Sequence, residues 1–557
     1  MDFKANITAA LQKEVSGEIV LEVPPNSELG DFAFPCFTLA KEKKKNPVQI
    51  AQELAKSLHI KGVSRIEAKG PYLNFFVEKG SLAEEVLHAI FKDKNYGSNQ
   101  SGKGKHALIE HTSINPNASP HVGNARNAML GDAITRLLRF EGTTVDVHYF
   151  VNDIGKQIAI LVLASKGKKP SFSELLDLYV TFSKKVEEDK ALEKDVFALL
   201  KKLEDGDEKV KKQFRDIVDV CVKGQKALLE AFGITFDSFD YESDYLFNKK
   251  MDKVLVDLKK TGKLFTDEES RQVLNLEGVA AVEQGMKNAV LVLTRGDGTS
   301  LYPLRDIAYA IDKAAWAKDR NMIVLGEDQK LYFQQIVAAL NLLRIKAPEP
   351  VHYSFIIVAD GKMSKRKGTV VLLEDFMREA MEKAEKEILA RDKNIGAKEL
   401  RALAKVIGYG AIKFTILKVS AEKNVTFDWS QALSFEGDSA PYVQYAHARI
   451  NSILAKAGKT GVPDFKLLTH ASESRVITQL GRFPEIVAHA AKNLAPHVLV
   501  AYAKELAQEF TSFYHDCPVI QAESKELVAS RIALCKATQQ VLKTTLSLLG
   551  IDAPDAM

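Results

Sequence analysis

Apolar and polar positions along the chain change rhythm from region to region, and those changes predict its elements. Up to about residue 104, helical spacing mixes with short apolar runs such as Leu73-Asn74-Phe75-Phe76-Val77, and the Gly/Ser-rich stretch 97–104 reads as a linker. Next, apolar strands at 107–109 and 144–150 flank a helix whose apolar positions are Ala128, Leu130, Ile134, Leu137 and Leu138. Further strands are expected near 290–294, 322–325 and 355–358, with a charged helical insertion at about 171–232. Strands alternating with helices predict an α/β region built on a parallel, doubly wound sheet, which binds ligands at the carboxyl ends of its strands. From about 431 the period is helical, at Tyr442, Tyr445, Ala446, Ile450, Ile453 and Leu454 and again at Ile532, Leu534, Leu542, Leu546 and Leu549.

Two segments carry residues suited to phosphate chemistry. Asn115-Pro116-Asn117-Ala118-Ser119-Pro120-His121-Val122-Gly123-Asn124 falls between the 107–109 strand and its helix, which puts His121 and Gly123 on a strand-to-helix turn. A helix N-terminus offers unpaired N–H groups and positive dipole, Gly123 admits a ligand close to the backbone, and His121 can donate an imidazole N–H to a phosphate oxygen. Far downstream, Lys362-Met363-Ser364-Lys365-Arg366 follows the strand-like Phe355-Ile356-Ile357-Val358. Alone, the first reads equally as an ordinary turn and the second as a solvated basic loop. A given tetrapeptide arises by chance in only about one such chain in several hundred, so Lys-Met-Ser-Lys after a strand is the sharper signal.

Composition narrows the class without naming a partner. The 557 residues, 46% hydrophobic, suffice for about three or four globular domains. With 77 Lys plus Arg against 73 Asp plus Glu, net charge does not announce a nucleic acid, although Lys41-Glu42-Lys43-Lys44-Lys45 and Lys166, Lys168 and Lys169 could meet phosphates locally. The four cysteines, Cys36, Cys221, Cys517 and Cys535, form no Cys-x-x-Cys, so neither a disulfide framework nor structural zinc is expected. The N-terminus lacks an apolar signal core, and no run approaches the roughly 18 apolar residues of a membrane span; a soluble cytoplasmic protein is expected.

The turn is similar to the HIGH signature, and the basic loop to the KMSKS signature, of class I aminoacyl-tRNA synthetases. Within that class the chain resembles the arginyl-tRNA synthetase family at Glu110-His111-Thr112-Ser113-Ile114-Asn115-Pro116, at Asn152-Asp153-Ile154-Gly155-Lys156-Gln157-Ile158 and at Tyr302-Pro303-Leu304-Arg305-Asp306-Ile307-Ala308-Tyr309-Ala310. Gly30-Asp31-Phe32-Ala33-Phe34-Pro35 and Pro441-Tyr442-Val443-Gln444-Tyr445-Ala446-His447-Ala448-Arg449 extend the likeness to both ends. The resemblance implies a Rossmann-like catalytic domain at 105–430, an N-terminal α+β tRNA-contacting domain at 1–104 and a helical anticodon-binding domain at 431–557. It also implies a monomer that joins L-arginine to tRNA(Arg) through an arginyl adenylate, using ATP with Mg²⁺.

In that activity an amino-acid carboxylate attacks the α-phosphorus of ATP and expels pyrophosphate, so positioning and charge stabilisation matter more than a side-chain nucleophile. Pro116, His121, Gly123 and Asn124 would hold ATP, while Lys362, Met363, Ser364 and Lys365 would close over the departing pyrophosphate. A guanidinium has five donors and no acceptor, so its pocket must offer acceptors, at least one of them charged. Asp306 and Tyr302, four apart, fit that need, and the resemblance adds Glu110, with Asn115 and Gln329 for the amino and carboxylate end. Phe34, Tyr442, Gln444, Tyr445, His447, Arg449 and Met557 are the expected tRNA contacts, although Tyr442 and Tyr445 at helical spacing suit a packed core as well. Three positions depart from the family pattern: Asn124 replaces a usual second His, His111 a usual aromatic, and Asp555-Ala556-Met557 lacks a charged pair before the last Met. Two rivals stay open, a class I synthetase for another amino acid and an RNA-binding protein that kept the scaffold without catalysis.

Overall fold

Ala107, Leu108 and Ile109 are buried because their strand, His106–Glu110, lies at the centre of a five-stranded parallel sheet. The structure is a computed structural model that describes residues 3–16, 19–22, 24, 29–279, 289–358 and 371–557. On one side of the central strand lie Thr144–Val151 and then Ser238–Tyr241; on the other lie Arg320–Gly326 and then Glu349–Tyr353. The chain fills one half before it starts the other. This reversal opens a crevice at the carboxyl ends of the central strand and Arg320–Gly326, where Glu110 and Gly326 stand.

The helix Val122–Phe140 that follows the crevice is buried nearly all round, including Arg126, Asn127 and Asp132. It lies between the sheet and the helices Ala397–Leu417, Ala471–Lys492 and Lys525–Leu548, so it has no solvent face to keep polar.

Several expectations need correction. The strand at Val290–Val292 belongs to an antiparallel side sheet in which Gln272–Asn275 lies between it and Leu264–Thr266, and Ile356–Val358 pairs with Val425–Phe427 away from the main sheet. The two edge strands carry no apolar pattern in the sequence. Ser-Phe-Asp-Tyr and Glu-Pro-Val-His-Tyr show no apolar run because an edge is only half covered, and Pro350 is tolerated where one side of the backbone needs no partner. The 97–104 stretch is no free linker: Ser98 Oγ donates to Phe140 O (2.7 Å) and the Gly102 N–H to Glu141 O (2.8 Å). The preceding helix, Lys79–Lys92, buries Ala83, Val86, Leu87 and Ile90 in the large core of the catalytic and C-terminal helices. The separate core of the N-terminal sheet, Phe32–Pro35, Val63–Lys69 and Tyr72–Val77, is built around Ile7, Phe34, Leu54, Leu73 and Phe75.

The 171–232 region forms the helices Leu175–Glu188, Lys190–Glu204 and Glu208–Ala231, packed on Lys156–Ser165. Among the described residues no helix is long and apolar enough to cross a membrane, and the four cysteines are free and buried.

Candidate active site

Leaving the central strand at Glu110, the chain kinks through two residues in the left-handed region, Thr112 (φ 77°) and Ser113 (φ 42°). A β-branched residue there costs about 1–3 kcal/mol unless its surroundings enforce it. They do. The Thr112 N–H donates to Asn127 Oδ1 (2.7 Å), the Asn127 amide donates to Val324 O (3.0 Å), and the Phe150 N–H donates to Ser113 Oγ (3.3 Å). His111 packs on Phe236 and fills the space that Gly131 leaves; burial holds its imidazole at about 3, hence neutral. The unusual residue at 111 is thus absorbed by packing.

At the other end of the loop His121 caps the helix, and His121 and Asn124 hold each other. The His121 N–H donates to Asn124 Oδ1 (3.0 Å), and His121 Nδ1 accepts the Asn124 N–H (3.3 Å). Because Nδ1 accepts, the ring proton sits on Nε2, where it can be donated to a ligand. Desolvation lowers the His121 pKa, which favours this neutral tautomer. A Cβ on Gly123 would stand 2.9 Å from Cε1 and Nδ1 of this ring, so glycine is what lets the imidazole fold over the turn. Asn124 therefore has a capping part beside its expected one as a donor to a ligand. Its oxygen is committed to the cap, and only its NH₂ remains for a ligand.

Lys362, Met363, Ser364 and Lys365 lie outside the described residues, but the described residues on either side of that segment are tied to this helix. On the far side, Leu372 pairs with His121 as an antiparallel bridge, through the Leu373 N–H to Pro120 O (2.8 Å) and the Val122 N–H to Val371 O (3.0 Å). On the near side, buried Arg126 donates to Ser354 O (2.6 Å) and Phe355 O (3.2 Å), just before the strand Ile356–Val358. It also donates to Ser420 O, Ala421 O and Lys423 O, so one guanidinium fork gathers two chain segments. Burial lowers Arg126 to about 10, which keeps it charged near neutral pH.

Beside the crevice, the helix Tyr302–Trp316 presents Tyr302, Asp306 and Lys313 on one face. Tyr332 OH donates to Asp306 Oδ2 (2.5 Å), and the rings of Tyr302 and Tyr332 lie 5.2 Å apart. Desolvation first, and the Glu110 charge second among the raising influences, push Asp306 up to about 6 against the Tyr332 hydrogen bond, Arg305 and Lys313. Glu110, buried, is ion-paired with Lys313 and accepts from Ser113 Oγ (3.3 Å). A guanidinium entering here would find Asp306 open to it, whereas Glu110 already has a cation. Arg305 turns away and pairs with buried Glu242 (Nε to Oε1 2.6 Å), which burial lifts to about 7. With its NH₂ oriented toward acceptors, Asn152 donates to Glu242 Oε2 (2.7 Å), and Asp153 accepts from Ser243, so the 152–158 motif braces the wall. The side chains of Asn115 and Gln329 are exposed beyond the ends of the central strand and Arg320–Gly326, and Pro116 is buried in the loop.

Family models match three stretches of the chain. The tRNA synthetases class I (R) catalytic domain matches residues 85–429, the arginyl tRNA synthetase N terminal domain 1–77 and the DALR anticodon binding domain 443–557. The arginine--tRNA ligases of Methanocaldococcus jannaschii and Clostridium beijerinckii are each 37% identical, with 100% of both chains covered. The chain superposes on Thermus thermophilus arginyl-tRNA synthetase with a TM-score of 0.83 at 28% identity, covering 100% of each. The chain belongs to the arginyl-tRNA synthetase family. That family charges tRNA(Arg) with arginine through an aminoacyl adenylate.

Within this arginyl-tRNA synthetase architecture the expected tRNA contacts divide. Tyr445 is exposed, its hydroxyl accepts from Arg449 (2.9 Å), and the Arg449 guanidinium lies over the Tyr445 and Tyr514 rings (4.6 and 5.4 Å). These residues and Met557 line a groove of about 650 Å³. Tyr442 is half-buried, its hydroxyl 3.5 Å from Thr511 Oγ1. Gln444 and His447 need correction: both are 0% exposed and bond the C-terminal tail at Asp552 O (2.8 Å) and Pro554 O (2.9 Å). Phe34 is buried in the N-terminal core as well, whereas neighbouring Phe37 is exposed, edge-on to Tyr72. An aromatic or amide at helical spacing is packed or presented according to neighbours that only the fold supplies.

Proposed function

We propose that this chain forms arginyl adenylate between the His121 turn and the Asp306 pocket and transfers arginine to tRNA(Arg). Mg²⁺ enters with ATP as part of the substrate. The His121 Nε2–H and the Gly123 N–H, which has no partner among the described residues, donate to triphosphate oxygens at the positive end of the helix. Asp306 and the Tyr302 hydroxyl accept from the guanidinium, while Asn115 and Gln329 hold the amino and carboxylate groups. The carboxylate attacks the α-phosphorus, pyrophosphate leaves toward Lys362 and Lys365, and the terminal adenosine 2′-hydroxyl of tRNA then attacks the adenylate.

The observation that supports this reading most is that the described residues on both sides of the Lys-Met-Ser-Lys segment are bonded to the helix that His121 caps. Neutral Asp306 would bind a guanidinium poorly, but the approach of that cation draws its pKa down. Lysine would leave acceptors unpaired and be rejected.

The proposal extends to the whole chain. The N-terminal sheet contacts tRNA, with its boundary nearer 78 than 104; residues 431–557 bind the anticodon, through Tyr445, Arg449 and Met557; and the protein acts as a cytoplasmic monomer without structural zinc. Exchange of labelled pyrophosphate into ATP, with tRNA present and each of the twenty amino acids in turn, is expected to require L-arginine. Exchange driven by a different amino acid, or by none, would overturn the assignment.

A further inference from the structure

We infer that Gln225 is a positioning residue for adenylate formation, holding the 114–118 loop at the geometry in which Asn115 and His121 meet the reactants. This rests on the reading of the site given above.

Gln225 lies on Glu208–Ala231, the last helix of the inserted region, among the buried residues Ile217, Val218, Cys221, Val222 and Leu229. An amide on an apolar face is costly unless its polar atoms are paired, and this one, 0% exposed, is paired throughout. Its Nε2 donates to Asn115 O (3.0 Å) and Ala118 O (2.9 Å), and its Oε1 accepts from Tyr149 OH (2.9 Å). The same Tyr149 oxygen accepts the Ile114 N–H (3.1 Å), and Cys221 Sγ points at Ala118 O (3.5 Å). Three backbone positions of one irregular loop thus converge on one side chain and its partner. Ala118 precedes His121 by three residues. Upstream, the left-handed kink at Thr112 and Ser113 launches the loop; Gln225 catches its other side.

Only a primary amide of this reach supplies two donors and one acceptor here. Glutamate has no donor when ionised and would set negative charge against two carbonyl oxygens, which raises its pKa; protonated, it regains one donor. Methionine keeps the volume and offers none.

The test is arginine-dependent pyrophosphate exchange by the full chain with tRNA, wild type beside Q225M, Q225E and Y149F. In Q225M, kcat is expected to fall about 10- to 100-fold, with KM for ATP changed less than about threefold. In Q225E, kcat per folded molecule, with the folded fraction measured at each pH, is expected to rise relative to wild type as pH is lowered from 8 to 6; a merely structural role would shift the folded fraction alone, and Q225M would show no such trend. Y149F keeps both loop donors and is expected to lose only about three- to tenfold. Wild-type kcat in folded Q225M, or a flat relative pH profile in Q225E, overturns the inference. Should Q225M not fold, the Q225E profile and an unimpaired Y149F decide it the same way. A wild-type enzyme inactive with arginine would instead overturn the parent reading.

Discussion

The Lys313 ammonium is buried against the Glu110 carboxylate, joining the helix that carries Asp306 to the strand end that launches the His121 loop. Each charge keeps the other tolerable out of water. Lys313→Met would strand Glu110 as a buried unpaired anion, an expected loss of about 3–5 kcal/mol in urea unfolding. Adding Glu110→Gln should restore much of it. A double variant no more stable than the single one would show that the two residues are not coupled.

Asp306 makes arginine use depend on pH. Its folded pKa of about 6 is raised above the ordinary carboxylate value, so protons compete with arginine for the free enzyme. kcat/KM for arginine should fall about tenfold per pH unit below 6 and level off above it. Asp306→Asn should be at least about 100-fold less efficient and lose this limb of the profile. The sign for stability is opposite to that of an ion-paired acid: the folded state holds a proton that the unfolded chain releases. The burial of Asp306 therefore costs stability in full above pH 6, and the cost vanishes as pH drops below about 4.

The His121 ring needs the bare Gly123 backbone, which makes Gly123→Ala a test of geometry without loss of a functional group. The added methyl would displace the imidazole, so G123A should match H121A, each about 100-fold slower in pyrophosphate exchange with KM for arginine nearly unchanged. Asn124→Ala should behave differently, losing about 1 kcal/mol of helix capping and less activity, because its oxygen serves the backbone. If N124A is as slow as H121A with unchanged stability, Asn124 touches the reactants after all.

What the sequence revealed and what it concealed follow from range. The strand-turn-helix around His121 was legible because a buried central strand makes a continuous apolar run and its helix follows at once. Tyr302 and Asp306 were legible as a helical pair. Lys313, seven residues beyond Asp306 on the same face, is a readable signal too, a cation at helical spacing from an acid. Arg126 amid Ala125, Ala128 and Met129 was likewise visible as a charge that must be buried and paired. Tyr332 and Gln225 were not legible, because their partners lie in distant elements brought close only by the sheet order. The same limit explains Phe34, Gln444 and His447, whose side chains turned inward.

The C-terminal helices offer a contrast between an exposed and a buried neighbour. Tyr445 presents its ring to solvent beneath Arg449, while Gln444 fastens the tail through Asp552 O and reaches toward Val406 O (3.3 Å). Stacking of one base on an aromatic ring contributes about 1–3 kcal/mol, so Tyr445→Ala should weaken tRNA binding about 5- to 150-fold and leave the melting temperature within a degree or so. Gln444→Ala leaves the Asp552 carbonyl without its donor and opens a gap beside Gly410, so it should lower the melting temperature by a few degrees. Its effect on tRNA binding should be smaller and arise only through a loosened tail. Filter binding and thermal unfolding on both variants separate the roles; equal losses of tRNA affinity at unchanged stability would mean that Gln444 leaves its buried position to meet the RNA.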